Sequence, residues 1–218
     1  MFTLNIQKSI LSKISKEFAV GILATTLFSS SVLASDYIPA KLSAVIPAGH
    51  VLYKKLHVKD GYGTQNYVCI QKADGTFVWN FFGPQATLFK GASQEVTHFL
   101  NTNADPASAD KGKLYASWQS SDDTSKIWAA SIATATYLDD PAISADAIPW
   151  LTLQVKGVLA GPTGGKSLVK TTYVQRINTV GGLAPDPLSP ESLCDSSHIG
   201  TRFLVPYQTD YLFYKLGN

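Results

Sequence analysis

Leu151-Thr152-Leu153-Gln154-Val155-Lys156 is the stretch whose reading decides the fold. Apolar and polar residues alternate strictly, the period-2 pattern of a strand with one face in a core and the other toward water. A helix would instead repeat its apolar residues at three- and four-residue spacing. Outward from this segment, residues 66–71, 76–82, 95–100, 113–119, 167–177, 201–207 and 210–215 are also rich in β-branched and aromatic side chains. Turn dipeptides punctuate them: Asp74-Gly75, Gly83-Pro84, Gly161-Pro162, Gly164-Gly165 and Gly181-Gly182. Asp74-Gly75 between two such runs predicts a hairpin. Many short strands at this spacing predict an all-β fold, an antiparallel β-sandwich or barrel with at most one or two short helices. The one helical stretch expected is 125–138, where Ala129, Ala130, Ala133 and Ala135 are good helix formers. Residues 101–112 are polar and read as a long loop.

The N-terminal segment reads as an address. Lys8, Lys13 and Lys16 precede the apolar run 18–28, and small residues lead to Ala34. A basic start, an apolar stretch of about ten residues and a small-residue cleavage site make a secretory signal peptide. The run is too short for a transmembrane helix, which needs roughly 20 apolar residues. Residues 1–34 are therefore expected to be removed on export, leaving 35–218 as a single β domain outside the cytoplasm, periplasmic or extracellular, with no membrane span. Cleavage takes away three lysines and Glu17, so fifteen basic and fifteen acidic side chains remain. A neutral chain lacks the basic footprint of a nucleic-acid binder.

Cys69 and Cys194 are the two cysteines of the 218-residue chain. In an oxidising compartment an isolated pair is expected to form one disulfide; two free thiols, one of them nucleophilic, is the other reading. The four histidines, His50, His57, His98 and His198, have no HxH or HExxH spacing, so no metal or other cofactor is expected. Residues 160–167, Ala-Gly-Pro-Thr-Gly-Gly-Lys-Ser, satisfy a relaxed phosphate-loop pattern. That chemistry needs a helix immediately downstream, whereas the residues that follow have strand composition, so a turn is the better reading. Gly61-Tyr62-Gly63 lacks the third glycine of a dinucleotide fingerprint and opens a strand. No Gly-x-Ser-x-Gly nucleophile elbow occurs.

Several segments together resemble one family: 63–69 (GTQNYVC), Ala86-Thr87-Leu88-Phe89, Thr97-His98-Phe99, 117–128 (SWQSSDDTSKIW), 147–151 (AIPWL), 161–165 (GPTGG), 175–182 (QRINTVGG) and 205–211 (VPYQTDY). The chain is similar to the domain-of-unknown-function family 3455, exported proteins with no established activity. The likeness runs from about Pro47 to Tyr214. It implies export, and both cysteines fall within its motifs. His98, Trp118, Asp122 and Arg176 fall within them too. These four are the candidate binding residues, with Trp118 stacking on a ligand and the charged groups orienting it. No catalytic set is assigned.

Aromatic richness without a catalytic constellation points to an exported, non-catalytic β domain that binds a small molecule, glycan or envelope component. The alternative is a hydrolase or isomerase using His98 with a carboxylate such as Asp122, which requires the two within hydrogen-bond reach beside a pocket. A purely structural or interaction role is the third reading, and it calls for a broad apolar patch in place of a pocket.

Overall fold

The computed structural model of the chain describes residues 36–103 and 107–217. The expected signal peptide over 1–34 lies outside the described residues. Eight strands follow one another: β1 (His50–Gln71), β2 (Phe77–Lys90), β3 (Ser93–Thr102), β4 (Leu114–Ser120), β5 (Lys126–Ala135), β6 (Trp150–Leu159), β7 (Tyr173–Gly181) and β8 (Arg202–Leu216). Each pairs antiparallel with its sequence neighbours, and β8 returns to pair with β1, closing a barrel. Of sandwich and barrel, the chain forms the barrel. Closure gives the outer strands partners on both sides and removes the sheet edge. Helix among the described residues is confined to one turn, α1 (Ala40–Ser43), and a 3₁₀ turn at Pro190–Ser192.

The deciding segment behaves as its pattern requires. Leu151 and Leu153 of β6 face inward, opposite Arg176 and Val174 of β7. Its polar face holds a difference, because Thr152 is fully buried rather than solvated. The turn at α1 lies over that part of the outer wall, and the Leu42 carbonyl accepts hydrogen bonds from Thr152 Oγ1 (2.8 Å) and Gln175 Nε2 (3.1 Å). Leu42 packs there with Ala135, Ile143, Trp150, Ile177 and Leu212 as a second apolar cluster. Both faces of the sheet are thus dry at this point.

The expected helix over 125–138 is instead β5. Its inward residues Ile127 and Ala129 are buried, while Trp128 lies outside against Gly157 of β6, where an added Cβ would come within 2.1 Å of the indole. Alanine's helix propensity, a few tenths of a kcal/mol per residue relative to its neighbours (~0.3–0.7), yields to two full ladders with β4 and β6. Gly83-Pro84, read as a turn, lies inside β2 at a register slip opposite Asn66 and Tyr67. Residues 167–172 are a loop, and β7 begins only at Tyr173. The runs 201–207 and 210–215 are one strand, β8. Long strands with bulges read as several short ones because each bulge interrupts the alternation.

One end of the barrel is filled. Leu56, Val58, Leu88, Val96, Ile127, Val174 and Phe213 pack with Leu168, which comes from the β6–β7 connection and is fully buried. Each such side chain contributes about 1.5–3 kcal/mol by leaving water. Asp123 in the β4–β5 turn ties this end together, accepting from Ser125 N (3.0 Å), Ser125 Oγ (2.7 Å) and Ser167 N (2.8 Å). Burial disfavours its charge, but the Ser125 and Ser167 donors prevail and hold the carboxyl well below the usual range. A Cβ at Gly161 would sit 1.8 Å from the Asp123 carbonyl oxygen. In the phosphate-loop look-alike, Gly161 and Gly165 are there for close approach to Asp123, while Gly164 takes a positive φ of 83°.

At the other end, Cys69 of β1 is bonded to Cys194 of the β7–β8 connection across 125 positions of sequence. Trp79 Nε1 donates to the Ser192 carbonyl (2.8 Å), and Tyr67 Oη donates to the Gly182 carbonyl (2.7 Å). The connection is therefore pinned at three points against β1 and β2. Cross-linking so long a loop restricts the unfolded chain by about 4–5 kcal/mol in the chain-entropy model. The double substitution Cys69→Ser, Cys194→Ser is expected to lower unfolding stability by about 3–5 kcal/mol in urea melts at neutral pH. A loss below about 1 kcal/mol would mean that the hydrogen bonds alone hold the connection.

Candidate functional site

The interior is not filled to both ends. Above the apolar plug lies a cavity of about 340 Å³, lined by side chains from every strand of the barrel. Leu100 and Leu114, which bracket the β3–β4 loop, together with Phe81 and Tyr115 place its mouth at the rim that carries the β1–β2, β3–β4 and β5–β6 connections. Small residues on β4 and β5 leave the space open: Ala116, Ala129, Ala130 and Ser131. Larger side chains there would extend the plug to the rim.

Three of the four candidate residues meet in this cavity. His98 of β3, Trp118 of β4 and Arg176 of β7 all line it. His98 and Trp118 are paired across the β3–β4 ladder, and their rings stack at 4.5 Å with planes 10° apart. Tyr211 of β8 meets both rings edge-on, at 5.1 Å and 5.6 Å. Asp122 is not with them. It is exposed in the β4–β5 turn, at the opposite rim.

His98 is 4% exposed, and its Nδ1 donates to the Ser117 carbonyl (2.8 Å). Burial pulls its pKa down from 6.5 to about 3, the Ser117 bond works against that, and the Arg176 charge adds to it. The ring is accordingly neutral, with its proton on Nδ1 and Nε2 left as an acceptor. The carboxylate partner expected for an acid–base role is not in place: no Asp or Glu is among the cavity residues described.

Arg176 is half-buried. Its Nε (3.2 Å) and Nη2 (2.8 Å) both donate to the Pro149 carbonyl, which fixes the guanidinium plane. Among the described residues no carboxylate lies within ion-pairing distance of it. Its charge reaches the Tyr211 and Tyr207 hydroxyls; burial raises both phenols, and the guanidinium partly offsets this. The two hydroxyls lie 3.5 Å apart.

Sequence reasoning missed Gln65 and Tyr211. Gln65 of β1 is 2% exposed and lines the cavity, and its Nε2 is buried without a hydrogen-bond partner. Trp118 Nε1 is also buried and unpartnered. The signal for Tyr211 was its four-residue spacing from Tyr207 in an aromatic final strand, which places both on one face. For Gln65 no local signal exists, since a glutamine within a strand ordinarily points to water.

Elsewhere, His57 Nδ1 is paired with Asp210 on the outer wall, and Asp210 also accepts from Asn178 Nδ2 (2.9 Å) and Lys55 Nζ (3.2 Å). Among the described residues no three His, Cys, Asp or Glu side chains gather as metal ligands would.

A family model described as "Protein of unknown function (DUF3455)" matches residues 47–215, which take in the whole barrel except its last residue, Leu216. No curated protein and no solved structure matches the chain.

The burial of His98 has a consequence for pH. Unfolded, the imidazole takes up a proton near pH 6.5; folded, it does so only near 3. The unfolded chain binds more protons throughout that window, so stability falls as pH drops from about 6.5 and goes on falling to about 3. One group gives a slope of about 1.4 kcal/mol per pH unit. Urea melts at about pH 7 and pH 5 are expected to differ by about 2 kcal/mol in the wild type, and much less in His98→Gln. Equal slopes in the two proteins would place the ring in contact with water.

Proposed function

The chain belongs to the DUF3455 family, and from that footing we propose that it is an exported β-barrel protein that binds a small molecule in the mouth of the barrel. The observation that carries the reading is the cavity itself, at the rim of the barrel above the apolar plug and lined by His98, Trp118, Arg176, Gln65 and Tyr211. Convergent polar groups on apolar walls are what a ligand site requires. Its volume stands at the small end of the range of ~300–1,000 Å³ for such sites, which favours a small molecule over a glycan chain or an envelope polymer.

Binding, not turnover, is the reading because His98 spends its Nδ1 on a main-chain carbonyl and faces an arginine instead of a carboxylate. Export is supported by the Cys69–Cys194 bond, which suits an oxidising compartment. It also agrees with the described residues having no helix long and apolar enough to cross a membrane.

Native mass spectrometry of the protein purified from its own host tests both parts. The polypeptide is expected to begin near Ser35 and to carry a bound mass on the order of a few hundred daltons. Ala116→Trp, which fills the mouth from β4, is expected to arrive without it. A chain that begins at Met1 overturns export. Bare polypeptide in both proteins, or a ligand retained equally by Ala116→Trp, overturns the cavity.

A further inference from the structure

Resting on the binding reading above, we infer that the occupant of the cavity is a small monocarboxylate with an apolar tail, its carboxylate held by Arg176 and Gln65. The inference starts from an imbalance of charge. Arg176 brings a permanent positive charge into the barrel, where a charge removed from bulk water needs a counter-charge or a full set of hydrogen bonds. The Pro149 carbonyl accepts from Nε and Nη2, and the guanidinium also reaches the Tyr211 hydroxyl; these neutral acceptors leave its charge without a counter-charge. None of the described cavity residues is acidic, so the barrel itself supplies no counter-ion.

Gln65 is an independent observation that points the same way. It is buried, and its Nε2 is a donor with no acceptor. Gln65 and Arg176 both line the cavity of about 340 Å³, as does Tyr211, whose hydroxyl lies 3.5 Å from that of Tyr207. Guanidinium and amide donors lining one cavity, with a phenolic hydroxyl beside them, match the lone pairs of a carboxylate. Arginine presents that match as a planar fork and retains its charge at every relevant pH.

The rest of the cavity sets what the carboxylate is attached to. His98 is neutral and offers an acceptor, so the site holds a single positive charge and suits a monoanion; a phosphate dianion would be left half-compensated. Phe81, Leu100, Leu114, Leu151 and Leu153 make the remaining wall apolar, which suits an apolar tail.

Isothermal titration calorimetry of the purified chain with 4-phenylbutyrate, its uncharged analogue 4-phenyl-1-butanol and inorganic phosphate tests this. The carboxylate is expected to bind about 10-fold or more tighter than the alcohol, and phosphate more weakly than either. Arg176→Met should remove the preference while leaving alcohol binding within about 2-fold. Since Arg176 also braces Pro149, Gln65→Leu provides a second variant that keeps the charge, and a loss of about 5-fold for the carboxylate alone is expected there. Equal affinity for carboxylate and alcohol overturns the inference but leaves the cavity as a binding site. Phosphate binding as tight as the carboxylate's overturns it in favour of an oxyanion site. Binding of none of the three overturns both readings together.

Discussion

The pairing of β8 with β1 is the constraint on which the rest of the molecule depends. Thirteen residue pairs, from His50 opposite Leu216 to Val68 opposite Arg202, join the two ends of the domain. Until that ladder forms there is no inside: the residues of β1 and β8 that become interior are strand faces exposed to water. Closure of eight strands fixes an interior about as wide as the side chains that fill it. What each inward position contributes, bulky or small, then determines whether space remains. Leucine, isoleucine, valine and phenylalanine fill one end, and alanines on β4 and β5 leave room at the other.

That division gives the electrostatics their force. The apolar plug blocks water from one end, so polar groups above it are desolvated from below and reached only through the mouth. A half-buried arginine in this setting acts more strongly on its surroundings than it would on the surface. It joins burial in holding His98 neutral, and it works against burial at Tyr207 and Tyr211. The outer wall has its own supports. The turn at α1 dries one side, and the disulfide-pinned connection covers β1 and β2 near the open rim. Both keep the strands that carry Gln65 and Arg176 in fixed positions.

Much of the fold was legible because strand alternation and turn chemistry are local. The alternation at 151–156 identified β6 on its own, and Asp74-Gly75 identified the β1–β2 hairpin, where Asp74 accepts from Thr76 N and Oγ1. The failures are local signals that lost to pairing. Alanines in β5 were read by helix propensity, and Gly83-Pro84 was read as a turn where it is a bulge within a strand. Of the candidate site, His98, Trp118 and Arg176 come together while Asp122 does not. Family motifs group Asp122 with them, but in the β4–β5 turn Asp123 carries the structural bonds and Asp122 faces solvent.

By itself the sequence determined an all-β chain, its hairpin at Asp74-Gly75 and one pair of cysteines available for a bond, because each of these depends on neighbours in the chain or on composition. Only the tertiary structure decided that the sheet closes, which faces point inward, and that Gln65, His98, Trp118, Arg176 and Tyr211 share one space. Those five residues come from five different strands, and their meeting is set by register and bulges summed around the barrel. A one-residue slip in any ladder would turn its side chains outward, and nothing within a single strand records the sum.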